Sequence, residues 1–202
     1  MILNSHFVAG LLDNPDADDP LVLAPMPDID ALRKTGAASI DLRLGTWFVS
    51  VRATKHELLR LTRESDEVRS EQHISAKSYV RFDSEFILHP GAFVLAATLE
   101  WIRMPRNLAG YVSGKSSWGR RGLVIETAPG VHPGFLGCLT LELANVGEIP
   151  IALSPGTPIC QLFLHKVEGD TSHADRSAFV GRRQPIMGNI KMDTFVKKLR
   201  HS

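Results

Sequence analysis

AFVLAATLEWIRM (92–104) is the longest of a series of apolar runs between Phe82 and Ile159. FILHPG (86–91) precedes it, and LAGYVSG (108–114), LVIETA (123–128), CLTLELANV (138–146) and IPIALSPG (149–156) follow. Each run is short, rich in β-branched, leucine or aromatic side chains, and cut by Gly or Pro at near-regular intervals. That pattern reads as strand after strand. Working outward, CQLFLHKV (160–167) offers a last core strand, and ASIDLRLGTWFVSV (38–51) alternates apolar and polar side chains like an earlier one. Short strands at this spacing predict a sandwich, jelly roll or small barrel with helices at its margins. One such helix is expected over 5–12, capped by Asn4 or Ser5, with Phe7, Val8, Leu11 and Leu12 at helical spacing and DNPDADDP (13–20) ending it. A Pro-bounded stretch follows (Pro20, Pro25, Pro27). Residues 55–78 are polar and weakly patterned, and read as an excursion from the core.

The 202 residues suit one domain of ordinary size, 1–170 with its core at 38–168, followed by a basic tail at 171–202. Apolar residues make up 44% and charged residues 22%, which excludes a disordered chain. With 23 Lys and Arg against 22 Asp and Glu, the formal charge of +1 provides no global field for a nucleic acid. No apolar run approaches the roughly 18 residues of a membrane span. The N-terminus has no basic n-region and turns acidic where a cleavage site would sit, so a cytoplasmic protein without a signal peptide is expected. Charge is nevertheless uneven. Residues 1–30 carry six Asp and no Lys or Arg, while 176–202 carry seven Lys and Arg against one Asp. The tail reads either as a solvated extension or as a segment that closes over a polyphosphate.

Chemistry has few places to sit. A zinc deaminase needs HxE followed by PCxxC, so that three ligands hold the metal and a glutamate moves protons. The chain has no HxE, HxxxH or CxxC, and its histidines are scattered. No metal-ligating residue is therefore assigned. Cys138 and Cys160 lie in apolar contexts and read as small buried hydrophobes. In GKSSWGRRGL (114–123), Lys115, Ser116 and Ser117 share one turn and Arg120 and Arg121 follow a turn later. Amides, hydroxyls and a cation so placed suit a phosphate, or they are simply a polar helix start between strands. In CLTLELAN, Leu139, Leu141 and Leu143 take one face and Thr140, Glu142 and Ala144 the other. A carboxylate flanked by leucines in a core strand is costly unless used. It is either paired with a cation such as Arg120 or kept for proton transfer.

Taken in order, ASIDLRLG (38–45), HPGAFVLAATLEWIRMP (89–105), GKSSWGRRGL (114–123), TAPGVHPGFLGCLTLELANVG (127–147) and PIALSPGTPICQLFLHKVE (150–168) resemble the dCTP deaminases. The resemblance runs almost continuously from Ser39 to Glu168. It implies the distorted, jelly-roll-like β-barrel of the trimeric dUTPases, mainly β with a few short peripheral helices, assembled as a homotrimer. It also implies zinc-free deamination of dCTP to dUTP, with Glu142 as general base, Ser116 and the carbonyl of Ala128 holding the attacking water, and Arg120 orienting Glu142. Lys115 and Ser117 match phosphate-side positions, and Val131, His132, Arg182 and Gln184 fall at further substrate-binding positions. Magnesium is expected with the triphosphate. The sites lie between subunits, so the Ser/Arg segment and the glutamate strand would come from neighbouring chains.

The chain departs from the family pattern at three places. His132 stands in a turn that usually carries Asp. In AFVGRRQPIMG, Phe179 and Arg182 occupy a frame that normally reads Tyr-x-x-Gln, with Gln184 displaced. Lys115 stands where Arg is commoner, keeping the charge without the bidentate fork. The first two departures favour dUTP over dUMP as the product. The alternatives are a bifunctional relative that releases dUMP and pyrophosphate, a dUTPase, whose third-motif Asp and glycine-rich C-terminal segment the chain lacks, and a non-catalytic nucleotide-binding module.

Overall fold

The computed structural model describes residues 1–51, 75–126, 130–169 and 181–185, with the side chain of Glu126 left out. Three helices and eleven strands lie in these segments. Helix α1 (Ser5–Leu12) is capped by Asn4, whose side chain accepts the Phe7 N–H at 2.9 Å. It buries Val8, Ala9 and Leu12, while Phe7 stays largely exposed. Strand β1 (Val22–Ala24) and helix α2 (Ile29–Thr35) follow. Periodicity does not predict α2 because the helix buries no residue fully. Its signals are the caps, with Asp28 accepting the Ala31 N–H and Gly36 closing the helix at φ 59°.

The remaining strands are β2 (Ile40–Val51), β3 (Ser75–Tyr79), β4 (Phe86–Leu88), β5 (Phe93–Arg103), β6 (Leu108–Gly114), β7 (Leu123–Glu126), β8 (Gly130–Val131), β9 (Leu136–Asn145), β10 (Ile151–Leu153) and β11 (Pro158–Lys166). Helix α3 (Ser116–Gly119) sits between β6 and β7. All the assigned strand pairs are antiparallel. The main sheet runs β7-β9-β5-β2-β11-β6-β8, with β1 added on β5 and β3 on β2, and β4 pairs with β10 apart from it. The expected mainly β fold with short peripheral helices is observed. The sheet curls until strands from opposite ends approach. A Cβ added at Gly114, in β6, would stand 3.0 Å from the Cβ of Ile125 in β7. A side chain there would force Ile125 to give way by a few tenths of an ångström.

One correction concerns residues 55–78. Residues 52–74 lie outside the described segments, but Ser75–Tyr79 is a strand paired with β2 and not part of an excursion. SAKSY is polar because it makes a half-exposed outer strand, covered on one face and solvated on the other, so no apolar run announces it.

Leu42, Leu44, Phe48, Ile102, Leu141, Leu143 and Leu162 fill the interior of the curl at 0% exposure. The Phe48 ring stacks on Phe86 with centroids 4.6 Å apart. Where the register of β5 against β9 slips between Ala97 and Trp101, Thr98 substitutes for the ladder. Its hydroxyl accepts the Leu139 N–H at 2.9 Å and donates to the Glu100 carbonyl at 2.9 Å. Glu100 is itself 3% exposed, and accepts both the backbone N–H of Arg43 at 2.8 Å and its Nε at 2.6 Å. That bidentate arrangement keeps a buried carboxylate satisfied. No helix among the described residues is long and apolar enough to cross a membrane.

Candidate active site

Lys115 follows β6 and caps α3 from an extended conformation, φ −72° and ψ 127°. The single turn of α3 then carries Ser116 and Ser117 at the surface, and Arg120 closes it. Backbone bonds fix the turn. The N–H groups of Trp118 and Gly119 reach the Lys115 carbonyl at 3.0 and 3.2 Å, and the Arg120 N–H reaches that of Ser116 at 3.0 Å. Trp118 anchors the turn to β11 through Nε1 to the Pro158 carbonyl at 2.9 Å. Arg121 donates to the Ser117 carbonyl at 2.7 Å, and neither Arg120 nor Arg121 makes an ion pair to a described residue.

Glu142 lies on β9, an interior strand between β7 and β5, with Glu126 and Leu95 as its register partners. The alternation read from the sequence holds through the centre of the strand: Leu141 and Leu143 are buried, whereas Thr140, Glu142 and Ala144 are half-buried on the other face. Between the two groups the chain turns through Gly122, whose φ is 85°, with no room for a side chain: a Cβ there would meet the Gly147 backbone nitrogen at 2.8 Å. Within the chain no ion pair joins Arg120 to Glu142.

The remaining candidates are spread along the curl. Val131 is 2% exposed in the core cluster, so only its backbone is available to a ligand. His132 is exposed, and its carbonyl accepts the Phe135 N–H at 3.1 Å in the turn that follows β8. Ala128 and Phe179 lie outside the described residues. The tail returns at 181–185 and pairs with β9 beyond the end of β7. Gly181 N–H reaches the Leu136 carbonyl at 2.6 Å, and Cys138 N–H reaches the Arg182 carbonyl at 2.8 Å. The Arg182 side chain is exposed and Gln184 half-buried. Among the described residues no group of three or more His, Cys, Asp or Glu could hold a metal ion. Both cysteines are buried and free. Burial pushes the Cys160 thiol up to about 12, with Glu100 and Asp41 adding to the rise and Lys115 opposing it. Burial likewise pushes Cys138 up to about 11, opposed by Arg183 and assisted by Glu100.

Two polar partners next to this turn went unmarked in the sequence. Asp41 on β2 meets Lys115, its Oδ2 accepting from Nζ at 2.5 Å, and its Oδ1 accepts from Gln161 Nε2 at 3.2 Å. Residues 41, 115 and 161 are far apart in the chain, and strand order alone brings them together.

Comparison with known proteins agrees with this architecture. The profile described as "DCD: dCTP deaminase-like" matches residues 18–167. A relative from Halobacterium salinarum named "dCTP deaminase, dUMP-forming" is 40% identical over 177 residues, 87% of this chain and 84% of its own. One from Natronomonas pharaonis named "dCTP deaminase" is 36% identical over 200 residues, 96% of both. Among solved structures, the 2'-deoxycytidine 5'-triphosphate deaminase from Agrobacterium tumefaciens shares the fold at a TM-score of 0.59 and 20% identity. That match covers 81% of this chain and 46% of the other, so the present chain spans under half the length of that neighbour. With a family profile matched across most of its length, the chain belongs to the dCTP deaminase-like family.

Proposed function

We propose that this protein hydrolyses dCTP to dUTP and ammonia in the cytoplasm, as a homotrimer with sites between subunits. The observation that carries the reading is Glu142, a half-buried carboxylate on an interior strand between two fully buried leucines. Such a group is costly to keep without a use. Glu142 removes a proton from water, and the resulting hydroxide adds to C4 of cytosine while N3 is protonated. Glu142, having passed its first proton to N3, takes the C4 hydroxyl proton and delivers it to the exocyclic amine; the carbonyl forms, the C4–N4 bond breaks, ammonia leaves, and Glu142 is again a carboxylate. Ser116 and the Ala128 carbonyl hold the water, and Arg120 holds the Glu142 charge from a neighbouring chain. That assignment is compatible with the lack of an Arg120–Glu142 pair inside one chain.

Lys115, Ser117 and the tail residues Arg182 and Gln184 face the triphosphate, with Val131 and His132 flanking the nucleoside. Magnesium carried by the triphosphate would neutralise phosphate charge. The carboxylate beside Lys115, Asp41, is already engaged by Lys115 and Gln161, so the side chains of this turn fit phosphate oxygens better than the metal. No step uses zinc.

A second reading differs in the product. The names of the relatives from Halobacterium salinarum, Methanosphaera stadtmanae and Persephonella marina support release of dUMP. His132 supports dUTP, because an imidazole in either protonation state lacks the fixed negative charge that would orient a second water at the α-phosphate. Time-resolved chromatography of the dCTP reaction decides between them. dUTP should appear first and accumulate. dUMP and pyrophosphate formed stoichiometrically, with no dUTP released, would overturn the dUTP product. No deaminated nucleotide at all would overturn the function.

A further inference from the structure

Asp41, Gln161 and Ser113 stand in one row across three adjacent strands. Gln161 is the register partner of Asp41 on β2 and of Ser113 on β6. Their neighbours Ile40, Leu42, Val112, Cys160 and Leu162 are buried, so the row faces outward on a rigid part of the sheet. Both oxygens of Asp41 are used, Oδ1 by Gln161 at 3.2 Å and Oδ2 by Lys115 Nζ at 2.5 Å. The pair is partly exposed, 26% for the Lys115 side chain and 44% for Asp41, and such pairs contribute little to stability. Its geometry has another consequence. A lysine is a point charge on a flexible four-carbon stem, with three donors on its nitrogen. Asp41 occupies one donor and fixes the stem, leaving two donors for an anion at the head of α3.

We propose that Asp41 is a positioning residue that orders Lys115 for the polyphosphate of the substrate, with Gln161 orienting Asp41 in turn. The proposal rests on the phosphate-side reading of Lys115 given above. Pre-ordering one long side chain removes a cost that the ligand would otherwise bear on binding. The effect belongs to ground-state binding and not to proton transfer, so it falls on KM and leaves kcat alone.

The test compares the full-length protein with Asp41→Asn, Lys115→Met and the double variant. It reads kcat and KM for dCTP, the Kd for inorganic tripolyphosphate by calorimetry, and the melting temperature. Asp41→Asn should raise both KM and the tripolyphosphate Kd by about 3- to 10-fold, the factor that ordering one side chain is worth, with kcat within about twofold. In the Lys115→Met background the same change should add nothing, an outcome that general structural damage would not produce. Gln161→Met, which keeps the ion pair and removes only its orienting partner, should give a smaller shift in the same direction and stands in if Asp41→Asn does not fold. Unchanged or tighter binding in Asp41→Asn, the result of a carboxylate that merely competes with the anion, would overturn the proposal. So would an equal rise in both backgrounds. If the wild type binds tripolyphosphate but leaves dCTP intact, the deaminase reading falls while the calorimetric arm still decides the role of Asp41. A wild type that binds neither removes both.

Discussion

At the scale of single residues, Glu142 and the two cysteines make opposite predictions. Glu142→Gln is nearly isosteric on a half-buried face, so the variant should fold and bind dCTP. Its turnover should drop by roughly 10²- to 10⁴-fold, the worth of a general base. Steady-state kinetics retaining more than about a tenth of wild-type turnover would remove Glu142 from that role. Cys138 and Cys160, in contrast, should resist thiol reagents at pH 8 in the folded protein and react once it unfolds. Their folded values of about 11 and about 12 lie above the ordinary 9.0. The folded state therefore holds these protons where the unfolded chain releases them. Stability from this source is complete below the unfolded value and is lost as pH rises from about 9 toward 12. Denaturant titrations should show part of that alkaline decline removed in Cys160→Ala. Glu142 and Ser116 stand out in the sequence as candidates because each has a local signal, a carboxylate among leucines and a hydroxyl in a polar turn. Asp41, Gln161, Arg43 and Glu100 could not, since each acquires its meaning from a partner on another strand.

At the scale of elements, the strands that could be read are those with one buried and one open face or an unbroken apolar run, β2, β5 and β9 above all. Two of the missed elements bury little: α2 covers Ile29 and Leu32 only in part, and β3 is a polar outer strand. β1 buries Leu23, but its three residues in a Pro-bounded stretch carry too short a pattern to read. What locks the elements together is equally hard to see in the sequence. Asn145, 1% exposed at the end of β9, donates to the carbonyls of Leu88 and Ile149, each at 2.9 Å, and accepts the Gly147 N–H at 2.9 Å. One side chain thus ties together the end of β4, the turn after β9 and the approach to β10. Asn145→Ala leaves these buried groups without partners and should cost about 2–3 kcal/mol by chemical denaturation, since each unsatisfied group costs of order 1–3 kcal/mol. Asn4→Ala removes only a helix cap at the surface and should cost about 1 kcal/mol. A loss at Asn145 no larger than that at Asn4 would mean that solvent replaces the missing bonds.

At the scale of the whole molecule, the main question is where the groups of one site come from. Within one chain no ion pair joins Arg120, at the end of the α3 turn, to Glu142. If Glu142 is the base and Arg120 steadies its charge, as proposed, the two must meet for the reaction to proceed. In a cyclic assembly they meet when one subunit offers α3 to the β9 strand of the next, and a closed ring repeats the same contact at every interface. Light scattering on the active fraction should then give three times the 22.2 kDa chain mass. Complementation is a sharper test, because it reports which chain supplies which group. Glu142→Gln and Arg120→Ala should each be nearly inactive as pure assemblies. If the two are unfolded together and refolded as a 1:1 mixture, a site pairs an intact Glu142 from one chain with an intact Arg120 from its neighbour in about a quarter of cases, by random assortment around the ring. Activity in the mixture should therefore rise to about a quarter of wild type. If both groups instead serve a site within one chain, no mixed assembly contains an intact site, and the mixture stays at the level of its parents.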